Sequence, residues 1–403
     1  MITHSSRGRL HLLPQPTIMF EEFLRLPEDD IYEQPFSDFQ FGKQILSPGM
    51  LPDNLEGIQV AIFGVREDRG SKHNVGSAHA PDEIRKQLFT LARFNTENKI
   101  ADLGNIDPGA TLSDTYVALS KMVSELLHLK ILPIIIGGSH DLTFGHYGGY
   151  QDNRRNINLC VVDSMIDFHD GEEEINDENF LGRIFVMEPS CLFHADVIAL
   201  QTHLTTSQAL SVMEKLHFES YRLGKVRTNI HDMEPVLRGA NLCSFDLSSV
   251  RFADSPANYT ASPNGLFGEE ACQLARYAGQ SDVVDSFGLY GCNLAYDNRD
   301  QSTKLAAQII WYFLDGFCNR QKDFPQEKDE NYLKYTVQFK ENKYEMNFWK
   351  SKMSDRWWME VPVVNTKRNQ KKFHIVPCSY NDYQLACSEE VPERWMKTYA
   401  KLS

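Results

Sequence analysis

The sequence predicts an α/β fold: a three-layer arrangement with a parallel sheet flanked by helices on both faces, followed by an appended C-terminal β-containing segment. Short, continuous apolar runs recur from residue 58 onward, the pattern of strands buried on both faces. Amphipathic helical patterns lie between several of them, the alternation that builds crossover-connected parallel strands. Polar clusters follow three of the runs, and in such sheets ligands bind beyond the carboxyl ends of the strands.

Residues 1–55 are rich in Pro and acidic residues, with a small apolar cluster at Phe20, Phe23 and Leu24, and read as an irregular N-terminal arm. The α/β domain covers 56–320. Its strands are expected in IQVAIFGV (58–65), ILPIIIGG (131–138), INLCVVD (157–163), DVIAL (196–200), NLCSFDL (241–247) and SFGLYG (286–291). Helical periodicity marks 114–130, 268–279 and 301–317, the last with Gly316 as its expected terminator. A charged linker at 319–331 leads into a C-terminal extension, 321–403, with strand-like YLKYTVQF and FHIVPCSY and an aromatic-dense stretch at 348–362. Such an aromatic stripe reads as core or oligomer contact before it reads as a ligand-stacking platform.

The balance of 41 basic against 55 acidic residues, a net charge of −14, argues against a sequence-independent grip on nucleic acid or an anionic membrane. No apolar run approaches the roughly 20 residues that span a bilayer. The N-terminus lacks the pattern of a signal peptide. Eight cysteines are scattered without CxxC pairs, so reduced thiols and a cytoplasmic location are expected.

Three strand ends carry the chemistry. IIIGGSHDLT (134–143) presents His140 after a glycine turn. VVDSMID (161–167) places Asp163 and Asp167 beyond an apolar strand, and CSFDLSS (243–249) does the same for Asp246. Together with EDRGSKHNVGSAHAPDEIRKQL (67–88) and NLAYDNRDQSTKLAAQIIWYFLDGF (293–317), these segments resemble, in order, those of the ureohydrolase family of arginases, agmatinases and formimidoylglutamases. The resemblance covers roughly 56–320 and implies an arginase-like fold with a two-manganese site that hydrolyses linear amidines.

Carried over residue by residue, it also implies a specific loss. One manganese position would be held by His140, Asp163, Asp167 and Asp246. The other lacks two donors, because Met165 stands where the family has histidine and Ser248 where it has aspartate. A thioether is a poor partner for Mn2+ and a serine hydroxyl a weak one. Gly291 stands where the family has a substrate-contacting glutamate, and Leu181 falls near the place of a catalytic histidine. One Mn2+ site is therefore expected to be retained and the second dismantled.

The same four residues also fit a plain reading as strand-end caps, with Arg251 as a substitute for the cation. His169, His194 and His203 are candidates to supply a compensating ligand. Asp141 and His169 are the candidate catalytic groups, Asp141 being equally suited to cap the helix that follows it. Expected partners are a small amidine or amino-acid ligand and further copies of the chain, as a homo-oligomer, with no nucleic acid and no membrane. The competing reading is a catalytically inactive scaffold or ligand-binding protein acting through its terminal extensions.

Overall fold

The computed structural model describes residues 23–27, 31–152, 156–169, 171, 173–325, 330–339, 344–363 and 372–403; Phe20 of the expected N-terminal cluster and part of the 319–331 linker lie outside them. The main sheet comprises β1 (Leu24–Arg25), β2 (Ile58–Val65), β3 (Lys99–Ile106), β4 (Leu132–Ile136), β5 (Ile157–Val162), β6 (Leu192–Leu200), β7 (Glu219–Arg222), β8 (Leu242–Asp246) and β9 (Ser286–Tyr290). Its spatial order is β1-β3-β2-β4-β9-β8-β5-β6-β7. The strands pair in parallel, apart from two-residue β1, which runs antiparallel to β3.

Nine helices accompany these strands among the described residues: α1 (Ala80–Thr90), α2 (Leu112–His128), α3 (Leu142–Gly148), α4 (Phe180–Phe185), α5 (Ser207–Lys215), α6 (Leu223–Thr228), α7 (Glu234–Arg238), α8 (Gly268–Gly279) and α9 (Gln301–Cys318). Successive strand residues feed opposite faces. Val60, Ile62, Ile134 and Phe287 join α1, α8 and α9 in one core. Ala61, Phe63, Ile135 and Val161 join α2 to α5 in the other. Continuous apolar strands are what a sheet covered on both sides requires. Each large side chain buried this way contributes about 1.5–3 kcal/mol.

Gly316 does not end α9. It lies inside the helix, where an added Cβ would come 2.4 Å from the Arg276 carbonyl oxygen of α8. The glycine lets the two helices touch backbone to backbone. Residues 31–55, expected as an irregular arm, carry four short 3-10 turns, and their Ile31, Phe41 and Ile45 are buried in the main core.

Strand β3 escaped the sequence reading because Asp102, Gly104 and Asn105 interrupt its apolar run. Its polarity is matched by Arg85 of α1, which is fully buried. Arg85 Nε donates to Asp102 Oδ2 at 2.7 Å, Nη1 to Asn105 Oδ1 at 2.6 Å and Nη2 to the Gly104 carbonyl at 2.6 Å.

The C-terminal extension is an antiparallel meander, β10 (Tyr332–Phe339), β11 (Tyr344–Ser351), β12 (Trp357–Val363) and β13 (Lys372–Cys378), followed by α10 (Tyr380–Cys387) and α11 (Glu393–Leu402). The aromatic stripe serves as core: Trp357 stacks on Tyr383 at 4.9 Å between ring centres, and Phe348 and Met359 pack beside it. Trp358 faces the main domain beneath the Arg238 guanidinium, 4.3 Å away, and Arg238 Nη2 donates to the Trp357 carbonyl at 3.0 Å. Among the described residues, no helix is long and apolar enough to cross a membrane, and none of the eight cysteines is in a disulfide.

Candidate metal centre

The central strands β4, β9, β8 and β5 are neighbours, so the loops at their carboxyl ends converge on one point. His140 follows β4, Asp163 and Asp167 follow β5, and Asp246 ends β8. The imidazole Nε2 of His140 lies 3.0 Å from Ser244 Oγ, which fixes the ring and leaves Nδ1 facing the acids. Nδ1 lies 3.0 Å from Asp163 Oδ2, 3.3 Å from Asp246 Oδ2 and 3.4 Å from Asp167 Oδ2. His140, Asp163 and Asp167 offer ligand atoms that all fall within 4.8 Å of one another.

The cluster crowds three carboxylates around one imidazole. Burial would push His140 down, but the Asp246 charge and the close contacts with Asp163 and Asp167 hold its pKa well above the usual value. Burial, and then the Asp163 charge, pushes Asp167 well up. Burial is also the main cause that raises Asp246 to about 7. Asp163 moves the other way: burial alone would raise it, but His140, the Asp167 contact and the Met165 N–H together lower it. His140 Nδ1 and Asp167 Oδ2 are buried, and for all their close contacts neither makes a well-aligned hydrogen bond. Three carboxylates and an imidazole nitrogen around one point form a donor set suited to a divalent cation of the manganese type, whose charge would relieve the repulsion.

The opposite side of Asp163 is organised differently. Its Oδ1 accepts from Ser248 Oγ at 3.0 Å and from the Met165 backbone N–H at 3.2 Å, with Ser164 Oγ at 3.3 Å. Asp246 Oδ1 accepts from the Ser248 N–H at 2.9 Å. Protein donors thus occupy the carboxylate oxygens that point away from His140. Gly291, with a positive φ of 81°, closes this side. A Cβ there would lie 2.2 Å from Asp246 Oδ1, so a glutamate does not fit this backbone.

The cleft holds only about 40 Å3, room for an ion or a water molecule. Its lining also includes residues the sequence reading missed. Asp177 accepts from Ser71 Oγ at 2.5 Å and from the Lys72 N–H at 3.0 Å, while Glu178 pairs with Lys72 at 3.1 Å. Asn74 and Asn258 both donate to the Gly291 carbonyl at 3.0 Å. The 67–88 segment was the available signal for Ser71, Lys72 and Asn74, whereas Asp177 sits alone between motifs.

Several candidates lie elsewhere. Asp141 is buried but outside the cleft lining, accepting from Tyr116 Oη at 2.5 Å, and its side chain makes no cap bond to α3. Burial raises it to about 6. His169 is exposed, with Nδ1 3.0 Å from the Glu178 carbonyl oxygen. His194 pairs with Asp196 at 3.2 Å and His203 is exposed; neither lines the cleft. Arg251 pairs with Asp254 at 2.9 Å and lies over Phe267, so it does not substitute for a cation among the acids. Leu181 is buried in the core on α4.

Comparison with known proteins agrees with this architecture. The arginase family profile matches residues 58–315. The formimidoylglutamase of Lysinibacillus sphaericus is 24% identical over 280 residues, spanning 65% of this chain and 85% of that protein. Among solved structures, the manganese-bound formiminoglutamase of Trypanosoma cruzi aligns with a TM-score of 0.61 at 20% identity, covering 66% of this chain and 95% of its own. The formimidoylglutamase of Bacillus subtilis aligns at 0.64 with 17% identity, covering 74% and 98%. The residues matched by the profile are those of the main α/β domain.

Proposed function

The chain belongs to the arginase family, and on that premise we propose that it is a metal-dependent protein of the linear-amidine hydrolase class with one manganese position kept and the second dismantled. His140, Asp163, Asp167 and Asp246 would hold the single ion. The observation that carries this reading is the two-sided environment of Asp163: Oδ2 faces His140 Nδ1 and the other acids, while Oδ1 is already taken by Ser248 and the Met165 N–H. The manganese named with the Trypanosoma cruzi structure supports the choice of metal.

When bound, such an ion supplies Lewis acidity toward water and toward the amidine. The chain's own groups do the rest. Ser244 orients the His140 ring, and Ser248 fixes the Asp163 carboxylate. Asp177 and Glu178 make the cleft acidic, which suits the cationic amidine-type group shared by formimidoylglutamate, arginine and agmatine, of which formimidoylglutamate alone carries two carboxylates. Neither catalytic candidate named from the sequence reaches the cleft, since Asp141 turns to Tyr116 and His169 to the Glu178 carbonyl, whereas His73 and Glu178 line it.

A second reading, a catalytically silent ligand-binding or scaffold protein, is favoured by one observation. A cleft of about 40 Å3 is well below the 300 Å3 or more typical of small-molecule sites. Manganese-reconstituted protein tested for formamide or urea release from these three amidines separates the two readings. Manganese-dependent turnover abolished by Asp246→Ala supports the hydrolase. Manganese binding without turnover leaves the silent protein.

A further inference from the structure

A second cavity, of about 300 Å3, lies between the main sheet and the C-terminal extension, at the end of the sheet opposite the acidic cleft. Asn158 of β5, Asp196 of β6 and Glu219 of β7 line one side; β13 and α11 close the other. At about 30 Å3 per water, the space equals about ten waters, or one small molecule.

Much of the wall is apolar, supplied by Phe193, Val236, Val283, Phe324, Ile375 and Val376. Most of the charged groups satisfy one another. Lys397 bridges to Glu219 at 2.8 Å, and Lys401 contacts His194, which meets Asp196 Oδ1 at 3.2 Å.

Three residues keep open groups. Asn158 Oδ1 is buried without a partner. Among the described residues no protein donor reaches Asp196 Oδ2, since the Asp196 bond to His194 uses Oδ1. Arg394 donates from Nη1 to the Pro377 carbonyl at 3.0 Å, and its Nε and Nη2 have no protein acceptor among the described residues. Arg394 and Asp196 share the cavity without forming an ion pair with each other. These groups are open to a ligand in a partly apolar space, and a guanidinium edge is shaped for a carboxylate.

We propose that this interdomain cavity binds an α-amino acid with an apolar side chain, its carboxylate on Arg394, its ammonium on Asp196 and Asn158, and its side chain against the apolar wall. The requirement for both charges follows from the geometry. A carboxylate alone would leave Asp196 Oδ2 and Asn158 Oδ1 without a donor, and an amine alone would leave the open edge of Arg394 without an acceptor. Because the ligand touches both the sheet and α11, its binding ties the extension to the main domain.

Calorimetric titration of the full chain with L-leucine, L-phenylalanine and L-methionine tests this, with 4-methylpentanoate and 3-methylbutylamine as single-charge controls. At least one amino acid should bind below about 10 mM, and each control at least about tenfold more weakly than L-leucine or not at all. Arg394→Gln and Asp196→Asn, on separate elements, should each weaken binding about tenfold or more. If one variant does not fold, the other still decides. No binding by any of the three amino acids overturns the proposal, as do controls that bind equally well and binding unchanged in a folded variant.

Discussion

Restoring the missing donors gives a quantitative test of the one-metal centre. Ser248 is 5% exposed and its hydroxyl donates to Asp163 at 3.0 Å. The double substitution Met165→His with Ser248→Asp removes that bond and sets another carboxylate close to Asp163. Two like charges about 4 Å apart, at an effective dielectric near 20, repel by about 4 kcal/mol. Proton uptake relieves part of this. In chelator, the double variant should therefore be about 2–4 kcal/mol less stable than the wild type. Each Mn2+ bound to the folded state at a free concentration 100 times its Kd returns about 2.7 kcal/mol. The stabilisation by Mn2+ should then be about twice as large in the double variant as in the wild type. Urea unfolding with and without Mn2+ measures both quantities. Equal stabilisation of the two proteins, or a metal-free variant as stable as the wild type, would refute the reasoning.

Three further predictions concern the frame around the site. Arg85→Met leaves Asp102 buried beside no cation and should cost about 3–5 kcal/mol in denaturant unfolding; a loss below about 1 kcal/mol would contradict the role assigned to Arg85. Burial holds His146 at a pKa of about 3, between Ser286 and Tyr290. Its folded pKa is depressed, so the unfolded chain takes up the proton first. Stability is lost as pH falls below the unfolded value near 6.5, by at most about 1.4 kcal/mol per pH unit. His146→Gln should flatten the stability-versus-pH curve between about pH 6 and 4 relative to wild type, and unchanged slopes would contradict this. Gly316→Ala pushes a methyl against the Arg276 carbonyl and should destabilise by about 1–3 kcal/mol by chemical unfolding; a neutral outcome would mean α8 and α9 separate freely.

Much of the frame was legible because the central strands are continuously apolar. IQVAIFGV at 58–65 and SFGLYG at 286–291 became β2 and β9 at nearly the expected bounds. Strand β3 was not legible, since its Asp102 and Asn105 look like loop residues until Arg85 arrives from α1, 17 positions earlier than Asp102. Gly316 misled because a helix-ending glycine and a close-packing glycine are the same letter; only the neighbouring α8 decides between them. At the site, His140, Asp163, Asp167 and Asp246 could be named from their strand ends, and the structure brings them to one point. Invisible in the sequence were Asp177 on its loop and the tilt that takes Asp141 to Tyr116. Both depend on contacts between segments far apart in the chain.

The central claim is a count. Chelator-treated protein, titrated with Mn2+ by calorimetry and checked by elemental analysis after desalting, should bind one ion per chain, and Asp246→Ala should abolish it. Two ions per wild-type chain would contradict the dismantled second position, and none would make the four residues a relic of a lost centre.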